Sequence, residues 1–221
     1  MGAAASADFY KQLVVITQKI YHAQNDDDFP PMWIYNLPIR DFDETGFVDT
    51  GSVKNQLVES VKKMEAVGSD FIVIPCNTVH HFYSEMQAAV DIPILNLLEA
   101  TAEAVEKREF KKVGLLTSQS TRKYKLYETI LANHGIAALS ASDSEQQEVN
   151  KVIGNVIAGM QGAADVSAIQ KVVERYLRDG AQVVVLGCTE LPLAFSQTDC
   201  SVSLFSSTEV LAEAALRFAR I

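Results

Sequence analysis

Two kinds of apolar cluster take turns along the chain, and their order predicts its architecture. Stripes at helical spacing predict helices over 9–21, 53–67, 79–89, 98–107, 121–134, 145–160, 166–178 and 208–220. The first carries Phe9, Leu13, Ile16 and Ile20 on one side, with Asp8 placed to cap it. Gly68, Gly135 and Gly180 stand where three of the others should stop. Between the stripes lie short unbroken runs, rich in β-branched residues. These predict strands over 32–36, 71–74, 92–96, 112–116, 136–139, 183–186 and 202–205. A turn fills 25–31 and a loop fills 37–50. Strand and helix alternating in this way imply an α/β fold, with parallel sheets flanked by helices. The rhythm restarts near Asn96, so two lobes of about 100 residues each are expected.

Composition narrows the function classes. The chain is 48% apolar and 21% charged, enough to bury a substantial core. A net charge of −9 argues against nucleic acid and anionic membrane as partners, though a local pocket could still hold an anion. No apolar run approaches the roughly 20 residues of a membrane span. The first residues lack the basic region and apolar stretch of a secretion signal. Three cysteines in a chain of 221 residues do not make a disulfide framework, so a reduced, cytoplasmic protein is expected.

Two of the predicted strands end alike. The run Phe71-Ile72-Val73-Ile74-Pro75 leads to Cys76, Asn77 and Thr78, and the run Val183-Val184-Val185-Leu186-Gly187 leads to Cys188, Thr189 and Glu190. Chemistry in α/β sheets gathers beyond the carboxyl ends of strands, so equivalent thiols there point to a pair facing one substrate from two sides. A free cysteine is often only a small buried hydrophobe. That reading weakens where both thiols lie past a strand end and precede polar residues that need partners. Amides and hydroxyls in such turns can hold an anion and can lower a thiol pKa from its usual value of about 8.5. Cys200 has no such setting and reads as structural or incidental. His80 and His81 are adjacent, project about 100° apart and lack the i, i+4 spacing of a chelating pair, so no metal is expected. Arg40 follows a predicted strand; it could clamp a carboxylate or stand solvated in its loop. Glu190 could be a general acid–base group or a cap for the helix that follows.

The segments Pro75-Cys76-Asn77-Thr78-Val79-His80 and Gly187-Cys188-Thr189-Glu190-Leu191-Pro192-Leu193 resemble the two signatures of the aspartate/glutamate racemase family. The aspartate racemase branch is the most similar. Met1-Gly2 with Ala7-Asp8-Phe9-Tyr10 resembles the tail of the family's N-terminal glycine-rich motif and its first helix. Pro38 to Arg40 resembles the loop that supplies a substrate-binding arginine, and Val113 to Thr121 the strand and hydroxyl-rich turn that opens the second lobe. Leu204 to Thr208 resembles the return into the first lobe. Family members also carry a short segment ahead of the position of Met1 that forms the first strand, which this sequence does not contain. Ala3 replaces a proline of the family, Ser206 an acidic residue, and Ile157-Ala158 a distal-carboxylate lysine of the aspartate racemases.

The resemblance implies a first lobe of residues 1–96 plus 206–221 carrying Cys76, and a second of 97–205 carrying Cys188. The active site would lie in the cleft between them. It further implies racemisation of a dicarboxylic amino acid, aspartate first and glutamate second, without a cofactor. One cysteine thiolate removes the α-proton and the other thiol delivers a proton to the opposite face. Arg40, Asn77, Thr78, Ser118, Thr121, Thr189 and Glu190 would bind the substrate. The expected partner is that small molecule, and the family suggests a homodimer. Hydantoin racemase, which also uses two thiols, is the nearest alternative, ahead of arylmalonate decarboxylase and maleate isomerase of the same superfamily. A non-catalytic relative that binds a small ligand is the alternative outside enzymes.

Overall fold

The computed structural model describes residues 3–43 and 46–219. Helix α1 (Ala3–Ile20) leads to a short hairpin, β1 (Phe42–Asp43) with β2 (Gly46–Phe47), and then to α2 (Thr50–Ala66). Strand β3 (Ile72–Val73), a 3₁₀ turn (Thr78–Phe82), α3 (Tyr83–Gln87), β4 (Ile94–Leu95) and α4 (Leu97–Lys107) follow. The remainder runs β5 (Lys112–Thr117), α5 (Gln119–Lys123), α6 (Leu126–Asn133), β6 (Ala137–Leu139), α7 (Asp143–Ile157) and α8 (Ala163–Arg178). It closes with β7 (Val183–Gly187), α9 (Leu191–Ala194), β8 (Ser203–Ser206) and α10 (Ser207–Phe218). Among the described residues no helix is long and apolar enough to cross a membrane.

The larger sheet is parallel, in the order β6-β5-β7-β8. Its central strands are apolar on both faces because helices cover both. Val113, Leu115, Val183 and Val185 pack with Phe9, Leu97 and Leu211 of α1, α4 and α10. Leu116, Val184 and Leu186 pack on the other side with Val149 and Ile153 of α7 and Ile169 and Val173 of α8. Tyr176 of α8 lies so close to Gly114 that a Cβ there would run into its ring, and its hydroxyl donates to the Leu115 carbonyl at 2.5 Å. The smaller sheet is the parallel pair β3 and β4, with Ile72 opposite Ile94, packed against Val53, Leu57 and Val61 of α2.

Several expectations are corrected. The run 32–36 forms no strand: it joins no ladder, and Trp33 is 67% and Ile34 61% exposed. A ladder needs a neighbour about 4.8 Å away. Between this segment and β3 lies instead an apolar groove of about 700 Å³, also lined by Phe9, Leu13, Leu57 and Val61. Asp8 does not cap α1, whose alanine-rich start extends the helix back to Ala3; its carboxylate accepts from Gln12 within the helix. The loop expected over 37–50 contains the β1–β2 hairpin. The helix expected over 79–89 begins as the 3₁₀ turn, and that over 121–134 is broken at Lys125, whose φ is 50°. This break lets Tyr124 turn onto His81, with ring centroids 4.2 Å apart. Met1-Gly2 and the end of the last helix at Arg220 lie outside the described residues.

One ion-pair cluster ties α4 to α6. His134, at the end of α6, bonds Glu106 through Nδ1 and Glu99 through Nε2, each at 2.7 Å. The hydrogen bonds that Glu106 and then Glu99 accept from its ring raise its pKa above the usual imidazole value. A raised folded-state pKa stabilises the fold fully below about pH 6.5, and the gain is lost as pH rises through the folded value. His134→Gln should therefore lower the melting temperature by about 1–3 °C at pH 6 and by less at pH 9. Equal losses at both pH values would rule out this charge coupling.

Candidate active site

Each thiol is set by the strand before it. Cys76 follows β3 and Pro75; its amide donates to the Ile74 carbonyl at 2.8 Å, a tight turn that brings the sulfur over the start of the 3₁₀ turn. The amides of Val79 and Thr78 point at that sulfur and favour its thiolate, but burial outweighs them and pushes the thiol up to about 11. Cys188 follows β7 and is 8% exposed. Burial first, and then the charge of Glu190, raise it well above the usual thiol value. Glu190 acts on both thiols electrostatically, and the two sulfurs act on each other, so the three groups share one neighbourhood.

Glu190 precedes α9 but its side chain makes no cap bond, which overturns the cap reading. The side chain turns inward instead. Its Oε2 accepts from the Cys188 thiol at 3.1 Å and from the Thr189 hydroxyl at 2.7 Å.

His80 is not free to act as a base. The Leu97 amide can only donate, so Nε2 is the acceptor at 3.1 Å, which leaves the proton on Nδ1 to bond the Cys76 carbonyl at 2.8 Å. Burial lowers its pKa to about 4, so it stays neutral. Its work is to fix the turn that carries Cys76 against the start of α4. His81 is exposed and stacks on Tyr124.

Hydroxyls join the two sheets. Thr78, beyond β3, bonds Ser118 at 3.1 Å and Thr121 at 2.9 Å, both beyond β5, and Ser118 bonds Thr121 at 3.1 Å. Asn77 accepts from the Tyr127 hydroxyl at 2.6 Å, while its buried Nδ2 has no hydrogen-bond partner. A buried amide left with a free donor is costly unless a ligand uses it. Tyr127 is fully buried, and its ring fits over Gly187 because glycine has no Cβ there. Burial pushes its phenol up, so it remains a donor.

The structure thus brings together Cys76, Cys188, Asn77, Thr78, Ser118, Thr121, Thr189 and Glu190, buried or nearly so. Arg40 is not bonded into this group. It is exposed, its amide and carbonyl held by the Gln56 side chain at 3.0 and 3.1 Å. The hairpin after it nevertheless reaches the site, since Phe47 stacks on both His81 and Tyr124. Cys200 lies apart, its thiol directed to the Val202 carbonyl. Tyr127 was missed by sequence reasoning. A tyrosine in a helical stripe carries no sign that its hydroxyl meets Asn77, 50 positions away.

Each parallel sheet thus has a strand that leads to a thiol beside buried polar side chains, and one of these, Asn77, keeps an unused donor. Residues 1–215 match the Asp/Glu/hydantoin racemase family, and the chain belongs to it. It is an isomerase by that membership. A relative from Bacillus subtilis, the broad specificity amino-acid racemase RacX, is 27% identical over 213 residues, which are 96% of this chain and 92% of that protein. An aspartate racemase homologue from Pyrococcus horikoshii superposes with a TM-score of 0.83 at 27% identity, covering 99% of this chain and 95% of that one. The Picrophilus torridus aspartate racemase superposes at 0.81 with 26% identity, covering 100% and 91%.

Proposed function

We propose that the protein racemises a dicarboxylic amino acid, aspartate first and glutamate second, by a two-thiol reaction that needs no cofactor. The observation that carries this reading is the pair of strand-end cysteines within electrostatic reach of each other, beside the buried Asn77 amide with its unused donor. One thiolate takes the α-proton: the C–H bond breaks, an S–H bond forms, and charge moves into the α-carboxylate. The opposite thiol then gives its proton to the other face. Asn77 Nδ2 is free to donate to that carboxylate, whereas the hydroxyls of Thr78 and Thr189 would exchange bonds they already make; preorganised donors of this kind stabilise charge as it develops. Arg40 would reach the distal carboxylate from the root of the hairpin. The lobes would be 1–96 plus 206–221 and 97–205, with the substrate in the cleft between them. The names of the relatives from Bacillus and Picrophilus support amino-acid racemisation, and the second of them supports aspartate.

The test is proton NMR of L-aspartate in D₂O, with chirality followed in the same tube. Loss of the α-proton signal together with appearance of D-aspartate is expected. Absence of both with aspartate and glutamate, but exchange with a substituted hydantoin, would overturn the dicarboxylate assignment.

A further inference from the structure

The amide of Asn77 could sit in its place in either of two ways. Its oxygen and nitrogen have nearly the same shape, and a half-turn about the last bond swaps an acceptor for a donor. Among the described residues its side chain makes one hydrogen bond, the 2.6 Å contact with the Tyr127 hydroxyl. That length suits an O–H···O bond and falls below the range of N–H···O contacts. The atom facing Tyr127 is therefore Oδ1, and Nδ2, on a residue only 3% exposed, is left without a protein partner.

Tyr127 is a fixed post for this bond. It stands on α6 with its ring over Gly187, in the core of the larger sheet with Leu115, Leu131 and Val185. Asn77 stands beyond β3 of the smaller sheet, so the bond crosses between the sheets as the hydroxyls of Thr78, Ser118 and Thr121 do. A side chain locked by packing on one sheet thus sets the orientation of an amide on the other.

We propose that Tyr127 is a positioning residue for racemisation: it holds Asn77 Oδ1, so that Nδ2 stays presented to the α-carboxylate of the substrate. The inference rests on the two-thiol racemase reading. Charge moves into that carboxylate as the α-proton leaves, and a donor already aimed at it needs no reorganisation. Without the phenol, the Asn77 amide presents its oxygen in a share of the molecules, and an oxygen facing a carboxylate repels it. Tyr127 acts through Asn77 and not on the substrate, because its hydroxyl proton is committed to Oδ1 and its ring is wholly buried.

The experiment is a double-mutant cycle on kcat and KM for L-aspartate, with Tyr127→Phe, Asn77→Ala and the two combined. Tyr127→Phe keeps the ring over Gly187 and removes only the hydroxyl. It should lower kcat about tenfold, and Asn77→Ala about 10²-fold, each with a smaller change in KM. In the Asn77→Ala background Tyr127→Phe should change kcat by less than about twofold, since nothing is left for it to position. An equal loss in both backgrounds, which a purely structural role would give, or an undiminished kcat in Tyr127→Phe, would overturn the proposal. The Asn77 side-chain amide, followed by NMR in an isotope-labelled sample, gives a readout independent of turnover and serves if the alanine variant does not fold. Saturating L-aspartate should shift its Nδ2 proton pair in the parent, and shift it clearly less in Tyr127→Phe. Equal shifts in the two proteins, or none in a parent that racemises aspartate, sink the positioning role and leave the racemase reading standing. A parent that racemises no amino acid sinks the functional reading, and this inference with it.

Discussion

Cys76→Ala and Cys188→Ala should each slow racemisation by about 10³-fold or more, with melting temperatures within a few degrees of the parent. Inversion needs a group on each face of the α-carbon, so neither thiol can cover for the other. The surviving thiol can still remove a proton from its own face and return a deuteron to the same face. Each variant should therefore exchange the α-proton of one enantiomer without inverting it, and the two variants should choose opposite enantiomers. The measurement is NMR in D₂O on both enantiomers with each variant. Racemisation at full rate in either single variant would end the two-base mechanism.

Gly187→Ala should be highly damaging for a change of a single methyl group. A Cβ at this position would stand 2.6 Å from the Tyr127 ring and 2.9 Å from the Thr117 methyl group. Both neighbours are buried, and Tyr127 is fixed by its bond to Asn77, so neither can retreat cheaply. Overpacking of this kind costs about 1–3 kcal/mol. Displacing Tyr127 also frees Asn77, so activity should fall along with stability. Urea unfolding compared with turnover tests both effects. A variant within about 0.5 kcal/mol of the parent would show that the strand end has slack the structure does not suggest.

What the sequence made legible was whatever rests on local pattern. The apolar runs at 112–116 and 183–186 could be read as strands because both faces of the larger sheet are covered, and the thiols could be placed at strand ends from the runs before them. Glu190 was visible as a candidate, but its role depended on a rotamer: the same residue could cap α9 or turn back to Cys188, and the choice follows from burial. The run 32–36 failed for a related reason. Its residues favour a strand, yet a strand is defined by a neighbour, and here the neighbouring space is a groove. The Lys125 break and the Tyr127–Asn77 bond were out of reach, since both are set by contacts between distant parts of the chain.

Under the proposed reaction, the hydroxyl triangle of Thr78, Ser118 and Thr121 would make substrate binding an exchange of bonds. Its members already satisfy one another across the two sheets, so a carboxylate arriving there must swap bonds rather than add them. Net affinity is then a small difference between two nearly equal sets of contacts. For a catalyst whose product is the mirror image of its substrate, that weakness is useful. A firm grip on one hand would hold back the other, whereas a swap lets either depart as the hydroxyls close on one another again.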